Sequence, residues 1–136
     1  MTYFDTDVLV NAILIQDLDR HNRALSRIEK SIKDDSFIIS SVTLQELVFV
    51  LGKLKIESVV IRKTYEFYSP LALYGLDRNI FKRAFEIAEK LSFIHINDAL
   101  HLACAEKYAR SIVTFDKDDF RKLRKHTAIL VEILES

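Results

Sequence analysis

A chain of 136 residues with 49% hydrophobic and 29% charged residues has the balance of a folded protein, which excludes intrinsic disorder and fits one domain spanning 1–136. Its 20 basic and 20 acidic residues cancel, which excludes attachment to nucleic acid or an anionic membrane by overall charge; any polyanion must be gripped locally. The single cysteine, Cys104, excludes an internal disulfide and a cysteine-based zinc site, and two glycines with one proline are too few for an all-β fold.

The first apolar run, Thr2 to Asp5, reads as a buried strand that ends in a carboxylate. Thr6 and Asp7 follow as caps for an apolar helix from Val8 to Leu14. That stretch is interrupted by Asn11 and falls well short of the ~20 residues that span a bilayer. Asp5 and Asp7 also stand where a signal peptide would be basic, so the expected compartment is the cytoplasm, with no membrane partner.

Leu18, Leu25, Ile28 and Ile32 recur at helical spacing before a second strand, Phe37 to Ser40. Leu44, Leu47, Val48, Leu51 and Leu54 mark the next helix, which carries Glu46. Thr43 and Glu46 have the spacing of a capping box, yet Glu46 also borders the apolar stripe, where a carboxylate needs a cation or donor. Leu71 to Tyr74 is a weaker strand, and Asp77 caps a helix marked by Ile80, Ala84, Phe85, Ala88 and Leu91.

Asn97 is placed to cap a helix over Asp98 to Tyr108 whose Ala99, Leu100, Leu102, Ala103, Cys104 and Ala105 surround it with apolar groups, so it is expected to be buried. Asp98 either caps this helix or projects into a cleft beside the sheet. The strand Ser111 to Thr114 leads into Asp116, Asp118 and Asp119, with Phe120 and Leu123 anchoring a further helical turn, and Ile129 to Ile133 forms the last strand. Alternating strands and helices imply an α/β fold: a three-layer α/β/α sandwich around a mainly parallel sheet of four or five strands.

Asp5, Glu46, Asp98, Asp116 and Asp119 thus stand beside apolar segments along the whole chain, with Asp5 and Asp116 at strand ends. Ligands collect outside the carboxyl ends of parallel strands, and carboxylates gathered there repel one another unless cations or protons neutralise them. A divalent metal is the simplest resolution. His21, His95, His101 and His126 show no metal-ligand spacing; His101, three residues after Asp98, reads as a residue at a packing boundary.

Four segments then carry a resemblance to a known family. Phe4-Asp5-Thr6-Asp7-Val8-Leu9, Ser41-Val42-Thr43-Leu44-Gln45-Glu46-Leu47, Asn97-Asp98-Ala99-Leu100-His101-Leu102-Ala103 and Ile112-Val113-Thr114-Phe115-Asp116-Lys117-Asp118-Asp119-Phe120 resemble, in order, the four motifs of PIN-domain ribonucleases, most closely the VapC-type toxin nucleases. Asp7 replaces the usual Asn or Ser, and one extra residue before Phe120 leaves Asp116 and Asp119 both eligible as the fourth acid, with Asp116 favoured.

The resemblance implies a Mg²⁺- or Mn²⁺-dependent endoribonuclease, a homodimer silenced by a cognate antitoxin. Asp5, Glu46, Asp98 and Asp116 would form the catalytic set, with Asp5, Asp98 and Asp116 as metal ligands, Glu46 holding water or a second cation, and Thr6, Thr114 and Asp119 in support. Arg121, Lys122, Arg124 and Lys125 form the densest basic patch, either an RNA contact or a solvated helix face. Tyr65, Phe67, Tyr68, Phe81 and Phe85 supply aromatic surface for core packing or a dimer seam. A non-catalytic binding module of the same fold is the alternative; a phosphoacceptor receiver fits poorly, because Glu46 comes from a helix.

Overall fold

The computed structural model describes residues 1–73 and 75–135. Strands β1 (Thr2–Phe4), β2 (Phe37–Ser40), β3 (Ala72–Leu73), β4 (Ser111–Thr114) and β5 (Leu130–Ile133) pair in parallel in the order β3-β2-β1-β4-β5. Helices α1 (Thr6–Ile13), α2 (Leu18–Lys33), α3 (Ser41–Lys53), α4 (Ser58–Tyr68), α5 (Arg78–Leu91), α6 (Ile96–Tyr108) and α7 (Lys117–Leu123) lie between them. Tyr74, which the apolar pattern included in the third strand, lies outside the described residues.

The two-residue period of the strands divides the core into two layers. Tyr3, Ile38, Ile112 and Val131 face α5, α6 and α7, joining Ile80, Ala84, Leu102, Phe120 and Leu123. Phe4, Phe37, Ile39 and Val113 face the other way, against Val8, Leu9, Ile28, Leu47 and Leu51. Helices therefore cover both faces, and the inner strands β1, β2 and β4 are apolar in succession because neither of their faces meets water, whereas edge strand β5 buries only Val131. The α/β/α sandwich expected from the alternation of elements is the fold.

Only two glycines are needed because other residues supply the sharp helix ends. Asp35 (φ 56°) and Lys55 (φ 59°) adopt left-handed backbone just beyond α2 and α3. There Ser36 N–H reaches back to Ser31 O and Ile56 N–H to Leu51 O, closing each helix in the manner usually reserved for glycine. Among the described residues, no helix is long and apolar enough to cross a membrane.

The chain runs outward from β1 through β2 to β3, then returns to the opposite side of β1 for β4 and β5. The direction of winding reverses between β1 and β4, and such a reversal opens a crevice at the carboxyl ends of the two strands. Asp5 follows β1 directly, and Phe115 and Asp116 follow β4.

Candidate functional site

Three helices begin at this crevice. Asp5 is the N-cap of α1, its Oδ1 accepting Thr6 N–H at 2.8 Å; Asp116 is the N-cap of α7, its Oδ1 accepting Asp119 N–H at 3.0 Å. Asp98 lies in the first turn of α6. Each helix start carries a partial positive charge that favours a carboxylate beside it, which lets the chain gather acids that would otherwise repel.

The capping assignments differ from those expected in several places. Thr6 and Asp7 do not cap α1: Asp5 does, and Asp7 reaches across to the end of β4, where its two oxygens each accept Phe115 N–H at 3.2 Å. The capping box of α3 joins Ser40 to Thr43 rather than Thr43 to Glu46, so Glu46 is released from any capping duty. Neither Asn97 nor Asp98 caps α6, which begins at Ile96 straight out of the 3-10 turn Phe93–His95 and has no side-chain cap. Asp77 caps α5 as expected, accepting Ile80 N–H at 2.8 Å.

Thr114 knots the two strand ends together. Its hydroxyl donates to Asp5 Oδ2 at 2.8 Å, also approaches Asp7 Oδ2 at 3.3 Å, and accepts Asp116 N–H at 3.0 Å. Glu46, half-buried on α3, accepts the Thr6 hydroxyl at 2.7 Å and His101 Nε2 at 2.5 Å; His101 Nε2 also lies 3.6 Å from Asp5 Oδ1. Asp98 Oδ, Asp119 Oδ and a ring nitrogen of His95 lie mutually within 4.8 Å.

The electrostatics follow from this crowding. Burial, reinforced by the charges of Asp5, Asp116 and Asp119, pushes the Asp98 carboxyl up to about 8. Burial and Asp5 raise Asp7 well above the ordinary carboxylate range, and burial followed by Asp119 and Asp5 raises Asp116. Glu46 goes the other way: burial opposes its charge, but the hydrogen bonds from His101 and Thr6 outweigh it and lower its pKa.

Among the described residues, no lysine or arginine forms an ion pair with Asp5, Asp7, Asp98, Asp116 or Asp119. Buried carboxylates are ordinarily paired or bound to metal. A carboxylate set with no lysine or arginine partner, in which burial and then neighbouring charge raise Asp7, Asp98 and Asp116, has the chemistry of a site for a hard divalent ion.

His101 is not at a packing boundary. It is fully buried, with Nδ1 2.7 Å from the Tyr3 hydroxyl, which also lies 2.7 Å from Ser40 Oγ and 3.0 Å from Thr43 Oγ1. The signal was legible: a lone imidazole inside the run Ala99 to Ala105 must find buried partners. Asp7 and His95 are the other site residues the sequence pattern passed over, and only the return of distant segments reveals them. Of the basic patch, Arg121, Lys122 and Lys125 are exposed, while Arg124 donates to Val131 O at 2.8 Å and so also braces β5.

No curated protein matches the chain. Its fold is shared with VapBC2 of Rickettsia felis bound to a promoter DNA fragment, at TM-score 0.71 and 20% identity over 99% of this chain and 100% of that one. It is likewise shared with FitAcB of Neisseria gonorrhoeae, at TM-score 0.67 and 16% identity over 97% and 96%. FitAB bound to an IR36 DNA fragment superposes at TM-score 0.74 and 17% identity over 100% and 99%. Residues 2–126, nearly the whole length that carries the strand-end acids, match the PIN domain family, and the chain belongs to it.

Proposed function

We propose that this protein is a Mg²⁺- or Mn²⁺-dependent endoribonuclease and the toxin of a toxin-antitoxin pair. The observation that carries the reading is the convergence of Asp5, Asp98, Asp116 and Asp119 at the β1–β4 crevice, where no lysine or arginine among the described residues pairs with them and the nearby His101 imidazole is engaged by Glu46. Asp5, Asp98 and Asp116 would hold the metal. When bound, a divalent cation supplies Lewis acidity towards water and phosphate.

The reaction is hydrolysis: a water oxygen forms a bond to phosphorus, the bond from phosphorus to the sugar 3′-oxygen breaks, and that oxygen takes up a proton. Glu46, kept ionised by His101 and Thr6, is an acceptor for an O–H of the attacking water. Thr114 and the start of α1 hold both Asp5 oxygens in place, so this one ligand is oriented before a metal arrives, and Asp98 and Asp116 would close in on it.

A cleft of about 490 Å³ runs beside Glu46, lined by Gln45, Phe49 and Asn97 among others. Phe49 is 63% exposed and offers a stacking face for an unpaired base, while the two amides offer hydrogen bonds to base edges. These features suit single-stranded RNA, with Arg121, Lys122 and Lys125 available to the backbone. Phe67 on α4 and Phe81 and Phe85 on α5, between 44% and 56% exposed, supply apolar area for an antitoxin and for a second copy of the chain.

The deciding experiment is cleavage of single-stranded RNA in Mg²⁺ or Mn²⁺, comparing the wild type with Asp5→Asn and Asp98→Asn. Loss of at least ~100-fold in both variants, and complete loss in EDTA, is expected. RNA that binds without being cut would instead make the protein a binding module, and cleavage that survives both substitutions would refute the site.

A further inference from the structure

We infer that the crevice holds two unlike cation positions sharing Asp98, and that His95 makes the second one selective for a transition metal such as Mn²⁺ over Mg²⁺. The inference rests on the metal-dependent reading above and deepens it. The first position is the oxygen set of Asp5, Asp98 and Asp116 proposed above, which must draw together to share an ion; the second comprises His95, Asp98 and Asp119, whose ligand atoms already lie mutually within 4.8 Å.

His95 ends the 3-10 turn Phe93–His95 and stands three residues before Asp98, so the turn and the first coil of α6 set both ligands on one side. Its residue is only 9% exposed, and its Nδ1 lies 3.7 Å from Asp119 Oδ1, too far for a hydrogen bond. Among the described residues neither ring nitrogen makes another polar contact, which leaves a nearly buried imidazole aimed at two carboxylates. A shared cation holds adjacent ligand atoms roughly 3 Å apart, so the three atoms, now within 4.8 Å of one another, must draw together by side-chain rotation.

Imidazole nitrogen suits Zn²⁺, Fe²⁺ and their neighbours, and Mn²⁺, although it favours oxygen more than they do, accepts imidazole more readily than Mg²⁺, which keeps its water, so one nitrogen among carboxylates biases a site towards the transition series. Asp116 and Asp119, three residues apart at the start of α7, then cease to be rivals for a single role. Asp116 faces Asp5 through Thr114, and Asp119 faces His95. The departure noted in the fourth motif, one extra residue before Phe120, is what provides both.

The test is electron spin-echo spectroscopy of the full-length protein loaded with MnCl₂, with and without ¹⁵N-histidine labelling, alongside Mn²⁺ and Mg²⁺ affinities by calorimetry. The wild type should show a directly bound histidine nitrogen that changes with the label, which requires no substitution and so no assumption about folding. In His95→Asn the nitrogen signal should vanish and Mn²⁺ affinity fall ~10-fold, with Mg²⁺ affinity changing less than ~2-fold. Absence of nitrogen coupling in the wild type, its persistence in His95→Asn, or its loss only in His101→Asn would overturn the inference. RNA cleavage is scored separately: a wild type that shows the coupling but cuts no RNA refutes the proposed activity and leaves His95 as a ligand.

Discussion

His101 Nε2 stands 2.5 Å from Glu46 Oε1, joining the middle of α6 to the middle of α3 across the carboxyl edge of the sheet. Burial opposes a charge on the imidazole, but Tyr3, Asp5 and Glu46 together outweigh burial and hold its pKa well above the ordinary value. Glu46 is shifted down at the same time, so both partners favour the charged pair. The opposite ring nitrogen faces the Tyr3 hydroxyl, which leads on to the Ser40–Thr43 cap of α3. The carboxylate of Glu46 is thus oriented by a chain of contacts that ends at the start of its own helix.

Removing the imidazole should therefore cost stability and disorder Glu46 together. His101→Ala removes the imidazole partner of half-buried Glu46 and one of three partners of the buried Tyr3 hydroxyl, a loss of about 1–3 kcal/mol. Urea unfolding of the metal-free protein measures it. If the variant loses less than ~0.5 kcal/mol, well below the cost of an unmade buried hydrogen bond, the network is not the brace described here.

Asp98 sets a pH dependence for the metal-free protein. Its folded pKa of about 8 is far above the ordinary 3.8, so between those values the folded chain holds a proton that the unfolded chain has released. Its contribution to stability is full below pH 3.8 and is lost as pH rises through about 8. Thermal midpoints in EDTA should fall between pH 5 and pH 8 in the wild type, and less steeply in Asp98→Asn. The residual slope belongs to Asp7 and Asp116, whose pKa values are also raised, and, above pH 6.5, to His101. Saturating Mn²⁺ at pH 8 should recover the loss in the wild type, because a cation that binds only the folded chain stabilises it. Parallel profiles for the two proteins would show that Asp98 is not the titrating group.

Asp7 separates a structural acceptor from an ionised ligand. It accepts Phe115 N–H at 3.2 Å and, with burial and Asp5 raising its pKa well above the carboxylate range, favours the neutral form. Asp7→Asn preserves an acceptor for that N–H and should change stability by less than ~0.5 kcal/mol, whereas Asp7→Ala strands the amide and should cost about 1–3 kcal/mol. Chemical unfolding at pH 7 distinguishes them; equal losses in the two variants would mean that the charge of Asp7, not its hydrogen bonds, supports the turn.

The strands and layers were legible because their causes are local. A run such as Phe37 to Ser40 is apolar at every position only when both sheet faces are covered, and the repeating apolar positions of α5 bury Ile80, Ala84, Ile87 and Ala88 while leaving Phe81 and Phe85 open. Fewer caps were legible. Ser, Thr, Asp and Asn all suit the starts of helices, and the choice among Asp5, Thr6 and Asp7 depended on which carboxylate β4 required for the Phe115 amide, a partner 108 residues away. Helix α4 lacks a side-chain cap and buries only Tyr68, so the pattern offered little to mark its limits.

Residue order alone carried the alternation of strands and helices, the burial of α6, and the identity of acids at strand ends, because each follows from neighbours within a turn or a pleat. Only the assembled sheet decided that β1 and β4 lie side by side, that Thr114 grips both Asp5 and Asp7, and that His95 and His101 each turn towards carboxylates carried on other elements. The division is physical: local periodicity selects which face a side chain presents, whereas the charge a carboxylate bears depends on the burial and the neighbours that distant segments bring to it, as with Asp98, raised to about 8 by burial and then by the charges of Asp5 and Asp116.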